Sequence, residues 1–204
     1  MIYLSRLLLN PRSRQAQNEF RNPYEMHRTL SRGFGDKDWS EARCLFRTEE
    51  ARDQEAICVL VQSRLAPDWE GLVPAANYWL QPPSSKALDL IIPQGARLSF
   101  RLRANPTVCQ NGKRNPLRGD IEQLNWLENK SKRNGFQVCQ ARVTCMDILR
   151  FQTVSKQPVT LQSVLFDGIL IVTEADLFLQ TIENGLGSGK GFGCGLLSVA
   201  RALL

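Results

Sequence analysis

The chain is poor in the residues from which most metal and nucleophile sites are built. One histidine occurs in 204 residues. The cysteines, at 44, 58, 109, 139, 145 and 194, are scattered without a C-x-x-C pair, and with a lone histidine to assist them a zinc centre is not expected. No apolar run approaches the roughly 20 residues of a membrane span, and mean hydropathy is −0.27. The opening segment, Met1-Ile-Tyr-Leu-Ser-Arg-Leu-Leu-Leu-Asn-Pro, has neither a basic stretch ahead of its apolar residues nor a small-residue cleavage site. It reads as a first β-strand and not as a signal peptide. The cysteines then read as reduced cytosolic thiols, mostly core fillers, in a cytoplasmic protein with no membrane partner. Acidic residues do not converge near the histidine. Those at 49–55 read as a solvated linker, which disfavours a metal-dependent nuclease, and no metal or other cofactor is expected.

The glycine-rich segment 185–195 (G-L-G-S-G-K-G-F-G-C-G) also lacks what two nucleotide-binding motifs require. Asn184 stands where a Walker A loop begins with glycine, and Gly191 stands where that loop needs Ser or Thr, so NTP hydrolysis is rejected. The segment follows a helix and not a strand, the wrong context for a dinucleotide fold. Two readings remain: a flexible loop, or one whose bare N–H groups at Gly187, Gly189 and Gly191 approach a phosphate chain beside Lys190.

What is present suits a globular protein of two domains. Hydrophobic residues make up 43% of the chain, enough for a sizeable core, and its length fits two units of about 100 residues. Lys and Arg number 26 against 20 acidic residues, for a net charge of +6. That excess is moderate, and its distribution says more. Strands are expected at 2–9, 42–48 and 57–63, a short helical turn at 13–20, and a weak helical or irregular segment from Pro67, before the Pro- and Ser-rich Gln81-Pro-Pro-Ser-Ser. In residues 97–104, Leu98, Phe100, Leu102 and Ala104 alternate with Arg97, Ser99, Arg101 and Arg103. Period two puts the three arginines on one face, either a solvated outer face or one that meets phosphates. A basic loop with Lys113, Arg114 and Arg118 follows. Next come a helix over 120–132 with Ile121, Leu124 and Leu127 at core spacing, hairpin strands 136–154 and 159–172, a helix 174–183 and a strand 196–200. The order strand, helix, paired strands, helix, strand in both halves predicts an α+β protein of two tandem ferredoxin-like domains, 1–92 and 93–204.

The stretch Asn22-Pro-Tyr-Glu-Met-His-Arg-Thr-Leu-Ser-Arg32 carries the candidate chemistry. Asn22 suits an N-cap, Pro23 the first helical position and Glu25 a capping-box partner, while Gly33 and Gly35 stop the helix. At about 100° per residue, Met26, Leu30 and Gly33 face the core. Tyr24, His27, Arg28 and Ser31 share the opposite side with Arg32 at its margin, near a helix N-terminus that favours a phosphate. A lone histidine is also commonly a surface or structural residue.

With these residues in view, the sequence resembles a known family. L-L-L-N-P at 7–11, N-P-Y-E-M-H-R-T-L-S at 22–31, R-L-R-A-N-P at 101–106, V-L-F-D-G at 164–168 and the glycine-rich segment with its L-L-S-V tail are similar to the CasE family. These are the CRISPR repeat-RNA endoribonucleases of type I-E Cascade. The resemblance spans the chain. It implies two RRM-related ferredoxin-like domains and metal-independent cutting at the base of a repeat hairpin, which releases guide RNA. It implies that the enzyme then stays on its product as a Cascade subunit. It assigns His27 and Tyr24 as catalytic, Arg32 as a supporting group, the glycine-rich loop to the RNA groove, and Arg150 and Lys156 to a hairpin that engages the RNA stem. Arg97, Arg101, Arg103, Lys113 and Arg114 are the stem-contact candidates read from the residues. RNA supplies its own 2′-hydroxyl nucleophile. A base, an acid and cations for the phosphorane charge then suffice, with either His27 or Tyr24 as the base and Arg28 or Arg32 as the cation. Two rivals keep the basic faces without the chemistry: a non-catalytic guide-RNA-holding subunit, and an interaction protein for acidic partners.

Overall fold

The computed structural model describes residues 1–35, 39–50, 55–72, 74–75, 77–110 and 112–202. The chain divides into two compact units. The first comprises Met1–Leu90, Leu149–Thr160 and Gly191–Gly193, and the second Ile91–Ile148, Leu161–Lys190 and Cys194–Leu204. Each contains a four-stranded antiparallel sheet.

In unit 1 the order is β1 (Ile2–Leu9), α1 (Arg14–Arg21), α2 (Pro23–Ser31), a 3-10 turn Arg32–Phe34, α3 (Trp39–Ala42), β2 (Leu45–Glu50), β3 (Ile57–Ser63) and β4 (Ser84–Leu88). The sheet runs β2-β3-β1-β4 with antiparallel neighbours. Leu7 and Leu9 of β1, Val59 and Val61 of β3, Phe46 of β2 and Met26 and Leu30 of α2 join one buried cluster.

Three local expectations need correction here, and one open alternative is decided. The helical turn at 13–20 is a full two-turn helix, because the Ser13 side chain accepts from the Ala16 N–H and caps it. The segment from Pro67 takes the irregular one of its two expected forms, with its polar groups engaged. The Asp68 N–H donates to the Gly33 carbonyl at 2.7 Å, the Asp68 carboxylate accepts from the Gly71 N–H, and buried Trp69 donates its Nε1–H to Ser5 Oγ at 2.9 Å. The Pro- and Ser-rich stretch leads into β4, an exposed edge strand in register with β1 from Ile2↔Leu88 to Arg6↔Ser84. An edge position needs no alternating pattern. In the acidic segment, Glu49 and Glu50 belong to β2, and Glu49 pairs with Arg47, which is 2% exposed. Residues 51–54 lie outside the described residues.

Unit 2 is built on β5 (Arg97–Ala104), β6 (Thr107–Gln110), β7 (Lys113–Pro116), α4 (Asp120–Ser131), β8 (Phe136–Gln152), β9 (Pro158–Val172), α5 (Ala175–Asn184) and β10 (Leu197–Arg201). The far ends of β8 and β9 belong to unit 1. The sheet runs β10-β5-β9-β8. Phe100, Leu102 and Ala104 turn inward as period two requires. Trp126 of α4 stacks on Phe166 of β9 with centroids 6.4 Å apart, and Phe136 meets Phe178 of α5 edge-on. Two expectations fail in this unit. The basic loop is a two-stranded ribbon, with β6 and β7 paired from Thr107↔Pro116 to Gln110↔Lys113. The inner face of α4 is Gln123, Trp126, Leu127 and Ser131, while Ile121 is 77% exposed. The large Trp126 and a buried Gln123 bonded to the Leu117 carbonyl set that face, rather than the aliphatic spacing.

Candidate active site

Helix α2 starts as its sequence dictates. The Asn22 side chain accepts from the Tyr24 N–H at 3.2 Å, and Pro23 occupies the first turn. The capping box expected of Glu25 is absent for a specific reason. Asn22 also ends α1, and its own N–H donates to the Asn18 carbonyl, so Glu25 pairs instead with Arg28 at 3.0 Å. Met26 and Leu30 are buried at 0% and 1%. Burying two such side chains contributes about 2–3 kcal/mol each. Tyr24, His27 and Ser31 are half-buried and Arg28 and Arg32 exposed, as expected of a core-facing helix with a polar outer side. Gly33 falls inside the following 3-10 turn, so it is not the stop. A Cβ there would lie 2.4 Å from Trp69, and Gly35 at φ 62° ends the turn.

His27 meets a chain segment far away in sequence. Gly191, in the 3-10 turn Lys190–Phe192, lies against the imidazole. A Cβ on this glycine would be 3.4 Å from Nδ1 and 3.6 Å from Cε1. Partial burial lowers the His27 pKa below its ordinary 6.5, opposed by a hydrogen bond to the Gly191 backbone that raises it. The lowered pKa favours the neutral ring, the form that accepts a proton.

One end of α2 is also tied down by a buried network that sequence reasoning missed. The Glu19 carboxylate, 3% exposed, accepts from Thr29 Oγ1 at 2.7 Å, Gln15 Nε2 at 2.7 Å and the Tyr78 hydroxyl. Burial, the charge of Glu19 and this hydrogen bond raise the Tyr78 pKa, keeping it a donor. In sequence, the signal was the spacing of Gln15 and Glu19 one turn apart on α1.

Of the residues read as sites, Tyr24, His27, Arg28, Ser31, Arg32, Arg150, Lys156 and Gly191 lie in unit 1. Arg150 and Lys156 are exposed, Lys156 in a turn at φ 55°. Arg97, Arg101, Arg103, Lys113, Arg114, Gly187, Gly189 and Lys190 lie in unit 2. There a cavity of about 660 Å³ brings together Arg114, Gly187, Gly189 and Lys190 with Trp126 and Lys130, and none of its lining residues is acidic. Lys130 is the basic residue in the last turn of α4. Its Nζ lies 5.8 Å over the Trp126 ring. The arginine face of β5 is neither simply solvated nor simply open. Arg97 is exposed, Arg101 grips Asp167 through two hydrogen bonds of 2.7 and 2.9 Å, and Arg103 donates to Ser163 Oγ at 2.9 Å. Burial raises the Asp167 pKa, but the Arg101 bonds and charge, with Thr144 and Arg142, outweigh it and lower the value. Among the described residues no group of three His, Cys, Asp or Glu could hold a metal ion, and no helix is long and apolar enough to cross a membrane.

This fold and site define a member of the CRISPR-associated proteins. The family model described as "CRISPR associated protein" matches residues 2–201, and the chain belongs to that family. It is 38% identical to the CRISPR-associated endoribonuclease Cse3 of Thermus thermophilus, over 98% of this chain and 100% of that protein. It is 28% identical to the CRISPR system Cascade subunit CasE of Escherichia coli, over 98% and 99%. Its fold matches the structure of Thermus thermophilus Cse3 bound to an RNA representing a pre-cleavage complex. The TM-score is 0.85 at 36% identity, covering 98% of this chain and 99% of that one.

Proposed function

We propose that this protein is a metal-independent endoribonuclease that cuts CRISPR precursor RNA at the base of the repeat hairpin and remains on the product as a Cascade subunit. It would work in the cytoplasm. Family membership and the names of its relatives support the substrate and the assembly. The observation that carries the chemistry is the half-buried His27, set against Gly191 and sharing the polar side of α2 with Tyr24. In the proposed reaction His27 takes the proton of the 2′-hydroxyl, whose oxygen attacks phosphorus. The bond from phosphorus to the 5′-oxygen breaks, and that oxygen takes a proton from Tyr24 or solvent. The products are a 2′,3′-cyclic phosphate and a 5′-hydroxyl. The nucleophile belongs to the RNA, so the reaction needs no metal. Arg32 and Arg28 lie within reach of the same helix side as cations for the phosphorane, and Ser31 contacts the RNA.

Stem recognition falls to the basic faces, because an A-form stem is read by shape and phosphates. We assign Arg97, Arg101, Arg103, Lys113 and Arg114 to one set, and Arg150 and Lys156 to the hairpin tip. Gly187, Gly189, Lys190 and Gly191 form the loop contact. The strand order 4-1-3-2 that each sheet follows in its own unit supports two ferredoxin-like domains, 1–92 and 93–204, the first with no second helix among its described residues.

The test is a synthetic repeat hairpin with wild type and His27→Ala side by side in EDTA. Cleavage by wild type alone, with 2′,3′-cyclic ends and a mutant that still binds, is the expected result. Binding without cleavage by either protein would leave a guide-holding subunit. A metal requirement or 5′-phosphate ends would sink the mechanism.

A further inference from the structure

We infer that the backbone at Gly191 is a positioning element for the His27 imidazole, so that the glycine-rich segment acts on the chemistry as well as on RNA. This rests on the reading of His27 as a catalytic group. Three consecutive residues carry it, all in unit 1. Gly191 approaches the ring to within one methyl group's width and hydrogen-bonds it through its backbone. Phe192 packs on buried Phe151 with centroids 5.0 Å apart. Gly193, at φ 81°, closes on fully buried Phe46, where a Cβ would stand 3.2 Å from the ring. The two aromatic contacts fix the turn, and the turn fixes the imidazole.

Backbone conformation does not explain the glycine at 191. Gly185, Gly187, Gly189, Gly193 and Gly195 all have positive φ, where side chains are strained, whereas Gly191 does not. The space beside the histidine takes a Cβ at ordinary contact distance and limits anything larger. A methyl would just fit beside Nδ1, and a branched side chain would displace the ring. A general base must hold its nitrogen within hydrogen-bond reach of the proton it takes, and a misplacement of about 1 Å can slow a reaction about 100-fold.

The chain has a single histidine, so the imidazole can be followed by NMR without assignment. The experiment compares wild type, Gly191→Ala and Gly191→Val in the full chain by imidazole titration, repeat-hairpin binding and single-turnover cleavage. Gly191→Val is expected to raise the titration midpoint toward that of an exposed histidine. It should slow cleavage of fully bound hairpin, measured at saturating protein, about 100-fold, while any loss of the Gly191 loop contact shows separately in the affinity. Gly191→Ala, whose methyl fits at ordinary contact distance, should give a smaller change in the same direction and serves if the valine variant does not fold. An unmoved imidazole overturns the inference, and so does slower cleavage that saturating protein restores to the wild-type rate. A shifted imidazole with unaltered cleavage divides on His27→Ala. If that variant is inactive, the positioning effect is refuted. If it still cleaves, the contact stands and His27 leaves the chemistry.

Discussion

At the scale of single residues, the proton balance of His27 has consequences for both rate and stability. Its pKa is lowered in the folded chain, first by burial. A depressed pKa means that the unfolded chain binds the extra proton more readily, so this contribution to stability is present above about pH 6.5 and is lost as pH falls through the folded value. The cleavage rate should follow the same sign. It should be flat near pH 7 and fall on acidification with a midpoint below 6.5, the ordinary histidine value. A single-turnover pH profile checks this, and a midpoint above 6.5 would contradict the neutral-base assignment. The side of the helix on which His27 sits was legible in the sequence, because helical spacing alone separates it from Met26 and Leu30. The shifted pKa was not legible, since the residue that shields the ring lies in another part of the chain. The role of Glu25 was misread for a related reason: its partner for a capping box, the Asn22 N–H, was already bonded to the preceding helix.

At the scale of the element, α2 is a short helix held by its neighbours. Nine residues are too few for independent stability. Thr29 reaches the buried Glu19 carboxylate on α1, and the following turn seats Gly33 on Trp69. A methyl at position 33 would meet the Trp69 ring at 2.4 Å. Trp69 cannot yield freely, because its Nε1–H is bonded to Ser5. Gly33→Ala should therefore destabilise the fold by about 1–3 kcal/mol, the usual cost of overpacking, while Gly35→Ala, which meets nothing within 4 Å but sits at φ 62°, should cost about 1 kcal/mol from backbone strain. Urea denaturation of the two variants gives the comparison, and equal losses would show that the Trp69 contact relaxes easily. Sequence reasoning placed both glycines at the helix end but credited both with stopping it. Only conformation can be guessed from a glycine, and the ring above Gly33 belongs to a segment that was expected to be helical or irregular. The ribbon β6–β7 and the edge strand β4 escaped for the opposite reason. They are exposed, so no buried face imposes a pattern on them.

At the scale of the whole molecule, the net charge of +6 is less informative than how the arginines of β5 are matched. Alternation correctly put Arg97, Arg101 and Arg103 on one face. It could not reveal that Asp167 stands directly across from Arg101 in the β5–β9 register and holds it in a two-bonded pair. Arg101 therefore comes to any phosphate already neutralised, whereas exposed Arg97 does not. Counterion release makes this measurable, because each phosphate neutralised by a protein cation adds roughly 0.7–0.9 to the magnitude of the salt slope. If this face meets the repeat stem, Arg97→Ala should weaken binding and flatten the slope by about that amount. Asp167→Asn should do the reverse, since it removes an anion and leaves the Arg101 guanidinium for phosphate. Arg101→Ala should weaken binding chiefly by uncovering the Asp167 carboxylate, and the double variant Arg101→Ala with Asp167→Asn should recover most of that loss. Filter binding of a repeat hairpin at several salt concentrations distinguishes these cases. Wild-type affinity in all four proteins would return the arginine face to solvent and leave stem recognition to the basic ribbon and the hairpin tip.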